Sequence, residues 1–261
     1  MASPHYKQLH LKIIITKRQN MSKLVAVDNI NHRKIKIDIN KIEAHGATMH
    51  LAPVVVSEFS HLATHYPIVV AKDGNTGQFV CSAILGFQAG ENLFWDNNQW
   101  QAIYVPLQVR RQPFFLGDDT AKDTANQSPQ YVVCLDSQSP SVGDQGEAIY
   151  TENGEETDYF QEAKAKLAEL LRGETENKAF IETLLSMDLL ESMAIEIKFV
   201  NDESTRLNGL YTIKQTALAK LNSEQLSQLH ANNYLQAIYA MVISVGQMYS
   251  LIDKKNKRLS R

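Results

Sequence analysis

The sequence predicts an α+β fold, with a mainly antiparallel sheet from the N-terminal half and a late hairpin, packed with C-terminal helices. Two patterns carry this prediction. Residues 23–115 contain short strand-like runs separated by turn residues, and from about Phe160 the apolar residues recur at helical spacing. Strands first and helices later favour antiparallel pairing over a doubly wound parallel sheet.

The early strand-like runs are apolar or alternate between apolar and polar residues. They are Lys23 to Val27, Lys34 to Ile39, Ala52 to Val56, Ile68 to Ala71, Phe79 to Ile84, Leu93 to Trp95 and Ala102 to Val105. Residues 72–77 (Lys-Asp-Gly-Asn-Thr-Gly) and 96–99 (Asp-Asn-Asn-Gln) tolerate a positive φ and lie between such runs. Each predicts a hairpin.

The second half of the chain changes from strand to helix after a polar stretch. We expect residues 117–130 to form a flexible, solvated loop, because they lack apolar periodicity. A strand from Tyr131 to Leu135 and helices from about residue 160 follow. The segments from Ala194 to Val200 and from Leu207 to Ile213 predict a hairpin that completes the early sheet. Helices then resume, at 214–220 and at 223–230 with Asn222 or Ser223 as N-cap.

The length of 261 residues allows one large domain or two small ones. A boundary between residues 117 and 160 is one alternative, but a late hairpin that completes the early sheet favours a single domain over 21–261. Residues 1–20 carry four basic residues and no acid. Since Met21-Ser-Lys-Leu-Val reads like a native start, we expect residues 1–20 to be a basic extension upstream of it.

Charge and cysteine usage favour a soluble protein in a reducing compartment. The net charge of −3 gives no global support for binding to nucleic acid. Cys81 and Cys134 lack nearby cysteine or histidine partners, which predicts buried reduced thiols on strands. No apolar run near the start is long enough for a secretory signal. We therefore expect a cytoplasmic location.

One uncharged segment, Ala231 to Ile252, has the length of a membrane span and a basic flank. Its apolar residues recur at alternating steps of three and four, with polar and small residues opposite, which favours a helix packed on a core. We therefore predict no membrane span. A transmembrane helix and a peripheral, membrane-facing or partner-facing helix remain the alternatives. The apolar stripe consists of Leu235, Ile238, Val242, Val245, Tyr249 and Ile252.

The motifs of the common enzyme classes are absent from the sequence. It contains no GxxxxGK[ST] phosphate loop, no GxGxxG after a strand, no GxSxG nucleophile elbow and no HExxH zinc helix. We expect no cofactor. His61 and His65, four residues apart beside Glu58, have usable metal-ligand spacing, but a solvated His61 and a His65 that satisfies the helix C-terminus explain them without a metal. We predict no metal site.

A small set of residues has the chemistry to bind a ligand or partner. Arg110 and Arg111 lie beside two phenylalanines and suit a carboxylate, a phosphate or a stacked ring. Glu91 and Asn92 lie just upstream, so a structural Arg–Glu bridge is the alternative. The remaining candidates are His65, Tyr66, Asn208 and Tyr211, the last two in a turn that leads into a strand.

Taken together, several of these segments resemble the bacterial SapC family, named for a component linked to surface-layer (S-layer) protein export. The matching segments are His65-Tyr-Pro-Ile68, Leu85-Gly with Gly90-Glu-Asn-Leu-Phe94, Trp100 with Tyr104-Val-Pro106, Arg110-Arg-Gln-Pro-Phe114, Gly146-Glu-Ala-Ile-Tyr150 with Asn153-Gly-Glu155, Leu207-Asn-Gly-Leu-Tyr211, and Leu229-His with Ala237-Ile-Tyr-Ala240. The resemblance covers about residues 25–255. It implies an accessory protein without an assigned reaction, and it supplies no catalytic residues.

The resemblance also implies a setting, because family members tend to occur near TonB-dependent receptors and halogenase-like flavoproteins. Our first hypothesis is therefore an accessory or adaptor protein that binds a protein or peptide of an envelope-related system through the region of Glu91, Asn92, Arg110 and Arg111. The alternative is an enzyme acting on a peptide or with a flavoprotein partner, in which His65, Glu91 and Arg110 converge in one pocket. A deep concave site would favour the enzyme, and a flat patch the adaptor.

Overall fold

The computed structural model describes residues 24–74, 76–118 and 131–261. These residues form two compact units, the first within Met1–Ile42 and Arg111–Leu167 and the second within Glu43–Arg110 and Ala168–Arg261. Both units are discontinuous in sequence, so each is built from two separate stretches of the chain. The single domain over 21–261 stays a prediction. The N-terminal extension and residues 119–130 of the expected loop lie outside the described residues.

The secondary structure confirms the α+β class. The strands are β1 (Leu24–Ala26), β2 (Lys36–Ile37), β3 (Leu51–Pro53), β4 (Ile68–Lys72), β5 (Phe79–Ile84), β6 (Trp95–Asp96), β7 (Gln99–Trp100), β8 (Phe114–Asp118), β9 (Tyr131–Asp136), β10 (Val142–Gly143), β11 (Glu147–Ala148), β12 (Leu190–Lys198) and β13 (Ser204–Ile213). The helices are α1 (Phe59–Leu62), α2 (Leu107–Arg110), α3 (Asp158–Ser186), α4 (Gln215–Leu218), α5 (Ser223–Ala231), α6 (Tyr234–Ser244) and α7 (Gln247–Leu259).

The first unit contains two small antiparallel sheets, ordered β1-β9-β8 and β10-β2-β11. β8 was not predicted as a strand, and it begins within the Phe114–Phe115 pair. The Phe114 ring packs against that of Phe160, with 5.4 Å between centroids, so the start of α3 covers the buried residues of this unit. Thr157 caps α3 by accepting a hydrogen bond from the backbone N–H of Phe160.

The second unit is built on a five-stranded antiparallel sheet in the order β12-β13-β4-β5-β3. The late hairpin β12–β13 joins the early strands through Leu210 and Tyr211, which pair with Ala71 and Val70. This confirms that the late hairpin completes the early sheet. The two predicted turns also form, since β4–β5 and β6–β7 are hairpins and Asn97 and Asn98 take positive φ values of 51° and 58°.

A close backbone approach ties α3 to the segment that follows β3. The two predicted helical stripes belong to one continuous helix, and Gly173 lies in its middle. A Cβ on Gly173 would stand 2.4 Å from a methyl of Val55, so only glycine lets the helix come this near. One turn later, the Asn177 side chain accepts from the Val56 N–H at 2.9 Å and donates to the Val54 carbonyl at 2.7 Å.

Several expectations about local structure were wrong, among them the turn expected at Asn208, which lies inside β13. The run from Ala102 to Val105 is a series of bends rather than a strand, because side chains elsewhere in the second unit hold its polar groups, as described below. The apolar segment after Ala231 is two helices, α6 and α7, which break at Val245 and Gly246. Tyr249 of the predicted stripe is exposed, and Ser244 from the side opposite the stripe is buried.

The buried Ser244 hydroxyl has two hydrogen-bond partners inside the protein. Its Oγ accepts from the Ile68 N–H at 2.9 Å, at the start of β4, and donates to the Met241 carbonyl at 2.7 Å. A polar group whose hydrogen bonds are satisfied is tolerated in a core. Hydropathy alone cannot predict such a buried position.

Among the described residues, one helical segment is long and apolar enough to cross a membrane by length and composition. It is Tyr234–Leu259, and a third of its most apolar stretch is buried within the protein. Core helices of soluble proteins pass the same test. The buried side packs into the core of the second unit through Tyr234, Ala237, Ile238, Met241, Met248 and Leu251.

Replacement of Ser244 tests this junction. We expect Ser244→Ala to lower the free energy of unfolding by about 1–3 kcal/mol, because the buried Ile68 N–H loses its acceptor. Urea unfolding followed by circular dichroism measures it. Ser227→Ala, at an exposed position on α5, is the matched control and should change stability by less than about 0.5 kcal/mol. Equal stability of the two variants would contradict the assignment.

Candidate functional site

The strongest candidate surface is a group of four side chains in the second unit, which we call the Tyr104 patch: His61, Ile103, Tyr104 and Arg110. His61 lies on α1 and Arg110 ends α2, while Ile103 and Tyr104 belong to the loop between β7 and α2. The His61 ring stacks on the Tyr104 ring at 5.2 Å and 15°. The Arg110 guanidinium lies 5.7 Å from the centroid of the same ring.

Ile103 is the most exposed large apolar side chain among the described residues, at 93%. It stands directly beside Tyr104, a residue whose ring contacts both an imidazole and a guanidinium. An isolated exposed isoleucine needs no explanation, but one beside a stacked aromatic and a permanent cation has the composition of a protein-binding surface.

A buried carboxylate holds the patch from beneath. Glu58 is 1% exposed, and its Oε1 accepts the Tyr104 hydroxyl at 3.1 Å and the Leu107 N–H at 2.7 Å. Its Oε2 accepts the Val55 N–H at 3.1 Å. The last bond is the reaching-back half of a capping box at the turn that leads into α1. One side chain therefore fixes α1, Tyr104 and the start of α2 together.

The environment of Glu58 shifts its titration. Burial raises the pKa of Glu58 to about 7, while the hydrogen bonds from Leu107, Val55 and Tyr104 act in the opposite direction. Burial, together with the Glu58 charge, raises the pKa of Tyr104, so its hydroxyl remains a donor. Glu58 therefore changes its protonation close to neutral pH while it holds the loop.

A second set of hydrogen bonds fixes the backbone of the same loop. The Trp100 indole donates to the Tyr66 hydroxyl at 2.7 Å, and that hydroxyl donates to the Tyr104 carbonyl at 2.5 Å. Tyr66 is fully buried and packs against Phe94 at 4.5 Å. Tyr104 is thus held at its hydroxyl by Glu58 and at its carbonyl by Tyr66, which explains why the run from Ala102 to Val105 is not a strand.

Three of the predicted binding residues lie below the surface with internal partners. Tyr66 belongs to the network just described. The Asn92 Nδ2 donates to the Gly46 carbonyl at 2.7 Å, and its Oδ1 accepts the Phe94 N–H. Arg111, in the first unit and 2% exposed, donates to the Phe114 carbonyl and lies 4.2 Å from the Phe115 ring. Each of these contacts supports the fold locally.

Glu91 forms an ion pair, but with Lys255 of α7 at 2.5 Å rather than in the Arg–Glu bridge considered from the sequence. The pair is nearly buried, and Glu91 Oε2 also accepts the Phe87 N–H at 2.8 Å. A buried pair of this kind is held by geometry and costs desolvation, so it fastens α7 to the turn after β5.

The remaining candidates lie at separate places in the second unit. His65 is half-buried, with its ring edge-on to Tyr66 at 5.9 Å. Asn208 is exposed on β13, where Gly209 takes a positive φ of 72°. Tyr211 is half-buried on the same strand and packs edge-on to Phe79 at 5.2 Å. Of the eight candidates, only Arg110 belongs to the Tyr104 patch.

His61 and His65, the histidine pair considered as metal ligands, contact two different tyrosine rings. His61 is exposed and stacked on Tyr104, whereas His65 contacts Tyr66. Within residues 24–74, 76–118 and 131–261, no group of three histidine, cysteine, aspartate or glutamate side chains is arranged to hold a metal ion. Cys81 and Cys134 are both buried, on β5 and β9, as their surroundings in the sequence predicted.

Sequence reasoning missed Ile103 and Tyr104 and gave Glu58 only a role beside the histidines. The one signal for Glu58 was its place three residues after Val55, at the beginning of a helical segment. No local signal marks Ile103, because an isoleucine within an apolar run reads as a buried strand residue. Its exposure depends on hydrogen bonds to residues about forty positions away.

A pH series on Glu58→Gln tests the buried carboxylate. Because the pKa is raised in the folded protein, stability contributed at Glu58 is present below its unfolded pKa and is lost as pH rises through about 7. We expect the variant to gain up to about 3 kcal/mol on the wild type between about pH 5 and about pH 8. Urea unfolding at both pH values measures this gain. Parallel pH profiles would contradict it, and Glu182→Gln, exposed on α3, is the control.

Comparison with known proteins gives one result. The SapC family model matches residues 27–251, which is most of the chain. No curated protein and no solved structure matches it. The match spans both units, including Tyr66, Tyr104 and Arg110, and the protein therefore belongs to the SapC family.

Proposed function

We propose that this SapC-family chain is a soluble accessory protein that binds a protein or peptide partner through the Tyr104 patch. The observation that carries the proposal is Ile103, fully presented to solvent on a loop whose underside is fixed by Glu58 and Tyr66. A loop held from below by buried hydrogen bonds has a defined shape before a partner arrives.

Such preorganisation favours binding. Ordering one flexible side chain at an interface costs roughly 0.5–1.5 kcal/mol, and a fixed loop avoids part of that cost. Complete burial of an isoleucine side chain supplies about 1.5–3 kcal/mol. Ile103 therefore has the energetics of a small anchor, with Tyr104 as its aromatic neighbour.

The chemistry of the patch also describes the partner. Arg110 is exposed, and its guanidinium is a permanent fork-shaped donor suited to a carboxylate. His61 adds a second group able to carry positive charge. A complementary surface would offer an apolar recess for Ile103 with an acidic side chain at its rim. We propose that the partner belongs to an envelope-related system linked to S-layer export or to TonB-dependent receptors, such as a halogenase-like flavoprotein, and that they meet in the cytoplasm.

The enzyme alternative requires one pocket that gathers His65, Glu91 and Arg110. Glu91 is engaged by Lys255, Arg110 lies over Tyr104, and His65 packs on Tyr66. An open cavity of about 330 Å³ in the second unit is lined by other residues, near the end of α7. This geometry supports recognition by surface contact over a shared catalytic pocket, and we do not propose the enzyme.

Partner capture by patch variants tests the proposal. We expect Ile103→Ser and Arg110→Ala each to weaken capture about tenfold, because each removes an anchor worth about 1–2 kcal/mol. The tagged protein is used to recover partners from the native cell with quantitative mass spectrometry. The recovered partner is then purified, and its dissociation constant is measured for each variant.

Control variants separate binding from folding. Val200→Ser and Lys220→Ala change exposed side chains of the same unit that lie outside the patch, and they should capture the partner like the wild type. Thermal unfolding should be unchanged in all four variants. If the patch variants lose stability in proportion to binding, or if the control variants lose capture equally, the patch is part of the scaffold and the proposal fails.

A further inference from the structure

Helices α6 and α7 expose a row of apolar side chains that the fold leaves uncovered. Ile243 is 68% exposed and Tyr249 81% exposed, and Tyr239 is also exposed. Tyr239 and Ile243 lie four residues apart on α6 and so share one side of that helix, and Tyr249 is exposed on α7 just after the break. The opposite side packs into the core of the second unit. The segment is therefore apolar on the solvent side as well as on the buried side.

The same segment continues directly into a cationic end. The open cavity of about 330 Å³ is lined there by four basic side chains and two acids, together with Leu93, Gln101 and Ser250. The basic residues are Lys254, Lys257, Arg258 and Arg261, and the acids are Asp96 and Asp253. Arg261 pairs with Asp96 at 3.1 Å, and Lys257 pairs with Asp253 at 2.6 Å. Both acids are thereby neutralised.

Two of the four basic side chains that line the cavity are not neutralised by these two acids. Among the described residues, neither Lys254 nor Arg258 has a carboxylate within ion-pair distance. The Lys254 ammonium lies 5.0 Å from the Phe94 ring, and Arg258 donates one hydrogen bond to the Trp95 carbonyl at 2.5 Å. Burial, with Lys257 and Arg258 nearby, lowers the pKa of Lys254. The cavity thus holds closely spaced cations that an external anion would stabilise.

We propose that this face of α6 and α7 docks the protein on an anionic lipid surface. Tyr239, Ile243 and Tyr249 enter the headgroup boundary, and the cavity with Lys254 and Arg258 receives a lipid phosphate. Exposed aromatic and aliphatic side chains followed by basic ones are the composition of helices that lie in a membrane interface. Lysine and arginine stems extend along the apolar boundary while their charges reach the phosphates.

The surrounding structure favours docking over spanning. Met241, Ser244 and Met248 on the other side of the segment are buried, and the Ser244 hydroxyl holds the Ile68 N–H of the sheet. Lys255 is likewise tied to Glu91. A spanning segment would have to break these contacts, whereas a segment lying on the surface keeps them all. The net charge of −3 does not oppose docking, because salt screens charges beyond about 8–10 Å and the local excess is positive.

Charge complementarity favours lipid over a protein partner at this face. Each cation near an anionic leaflet strengthens binding severalfold, and many identical phosphates offer that gain at once without a matched shape. The cavity is open to solvent, which suits a mobile headgroup. This inference does not rest on the partner-binding function proposed above, which uses the Tyr104 patch.

Vesicle flotation with the full chain tests the inference. We expect the protein to bind vesicles of equal parts phosphatidylcholine and phosphatidylglycerol and to leave vesicles of phosphatidylcholine alone unbound. The double variant Lys254→Gln, Arg258→Gln should bind the anionic vesicles about thirty-fold more weakly, because it removes the two cations that receive the lipid phosphate. Ile243→Ser with Tyr249→Ser should reduce binding at least tenfold, and inorganic phosphate should compete only weakly with the vesicles.

Matched controls keep the outcome specific. Lys178→Gln with Lys220→Gln removes the same charge from exposed positions elsewhere, and Leu185→Ser with Leu226→Ser removes exposed apolar side chains from α3 and α5. Both pairs should bind vesicles like the wild type, with unchanged circular dichroism. The inference is overturned if the wild type ignores anionic vesicles, if the control pairs lose binding as much as the test pairs, or if free phosphate displaces the protein completely. Loss of partner capture by the α7 variants without vesicle binding would assign this face to a protein instead.

Discussion

The Glu58 carboxylate is the constraint on which the surface of the second unit depends. A carboxylate 1% exposed is costly to desolvate, and this one repays part of the cost by accepting three hydrogen bonds. An apolar side chain in its place would avoid the desolvation but leave the Leu107 and Val55 N–H groups and the Tyr104 hydroxyl without an acceptor. The position therefore couples α1 to the loop that carries Ile103, and the fold of one determines the shape of the other.

The parts of the fold that could be predicted from the sequence are those whose causes are local. The strand Phe79–Ile84 and the hairpins at 72–77 and 96–99 follow from alternation and from residues that accept a positive φ. The N-cap at Asn222 is equally local, since its side chain accepts from the Gln225 N–H three residues away. Pairing of the late hairpin with β4 was predictable because an uncovered antiparallel pair needs a sheet to join.

The parts that could not be predicted depend on partners distant in the sequence. Tyr66 and Asn92 have the chemistry of binding residues, yet both form internal hydrogen bonds instead. Their partners, Trp100 and Gly46, lie 34 and 46 positions away in the sequence. The helical pattern after Ala231 placed most of its apolar stripe correctly against the core but misplaced Tyr249, which is exposed, and Ser244, which is buried with its hydroxyl bonded to the Ile68 N–H. A sequence pattern assigns polar residues to the surface. Only the folded structure shows which of them are buried with a hydrogen-bond partner.

Charge distribution decides what the two exposed surfaces of the second unit can do, and net charge does not. The Tyr104 patch combines one permanent cation, Arg110, with one exposed apolar side chain, Ile103, on a fixed loop. The selectivity of such a surface comes from its shape and from the single ionic contact that Arg110 makes. The face of α6 and α7 has two unpaired cations and three exposed apolar side chains, with neither group aimed at a single point. A surface of the first kind discriminates between partners, whereas one of the second kind gains from many weak, interchangeable contacts. A protein that carries both kinds of surface is able to hold one specific partner at a membrane, and the buried ion pair of Glu91 with Lys255 keeps α7 fixed to the same unit as the patch.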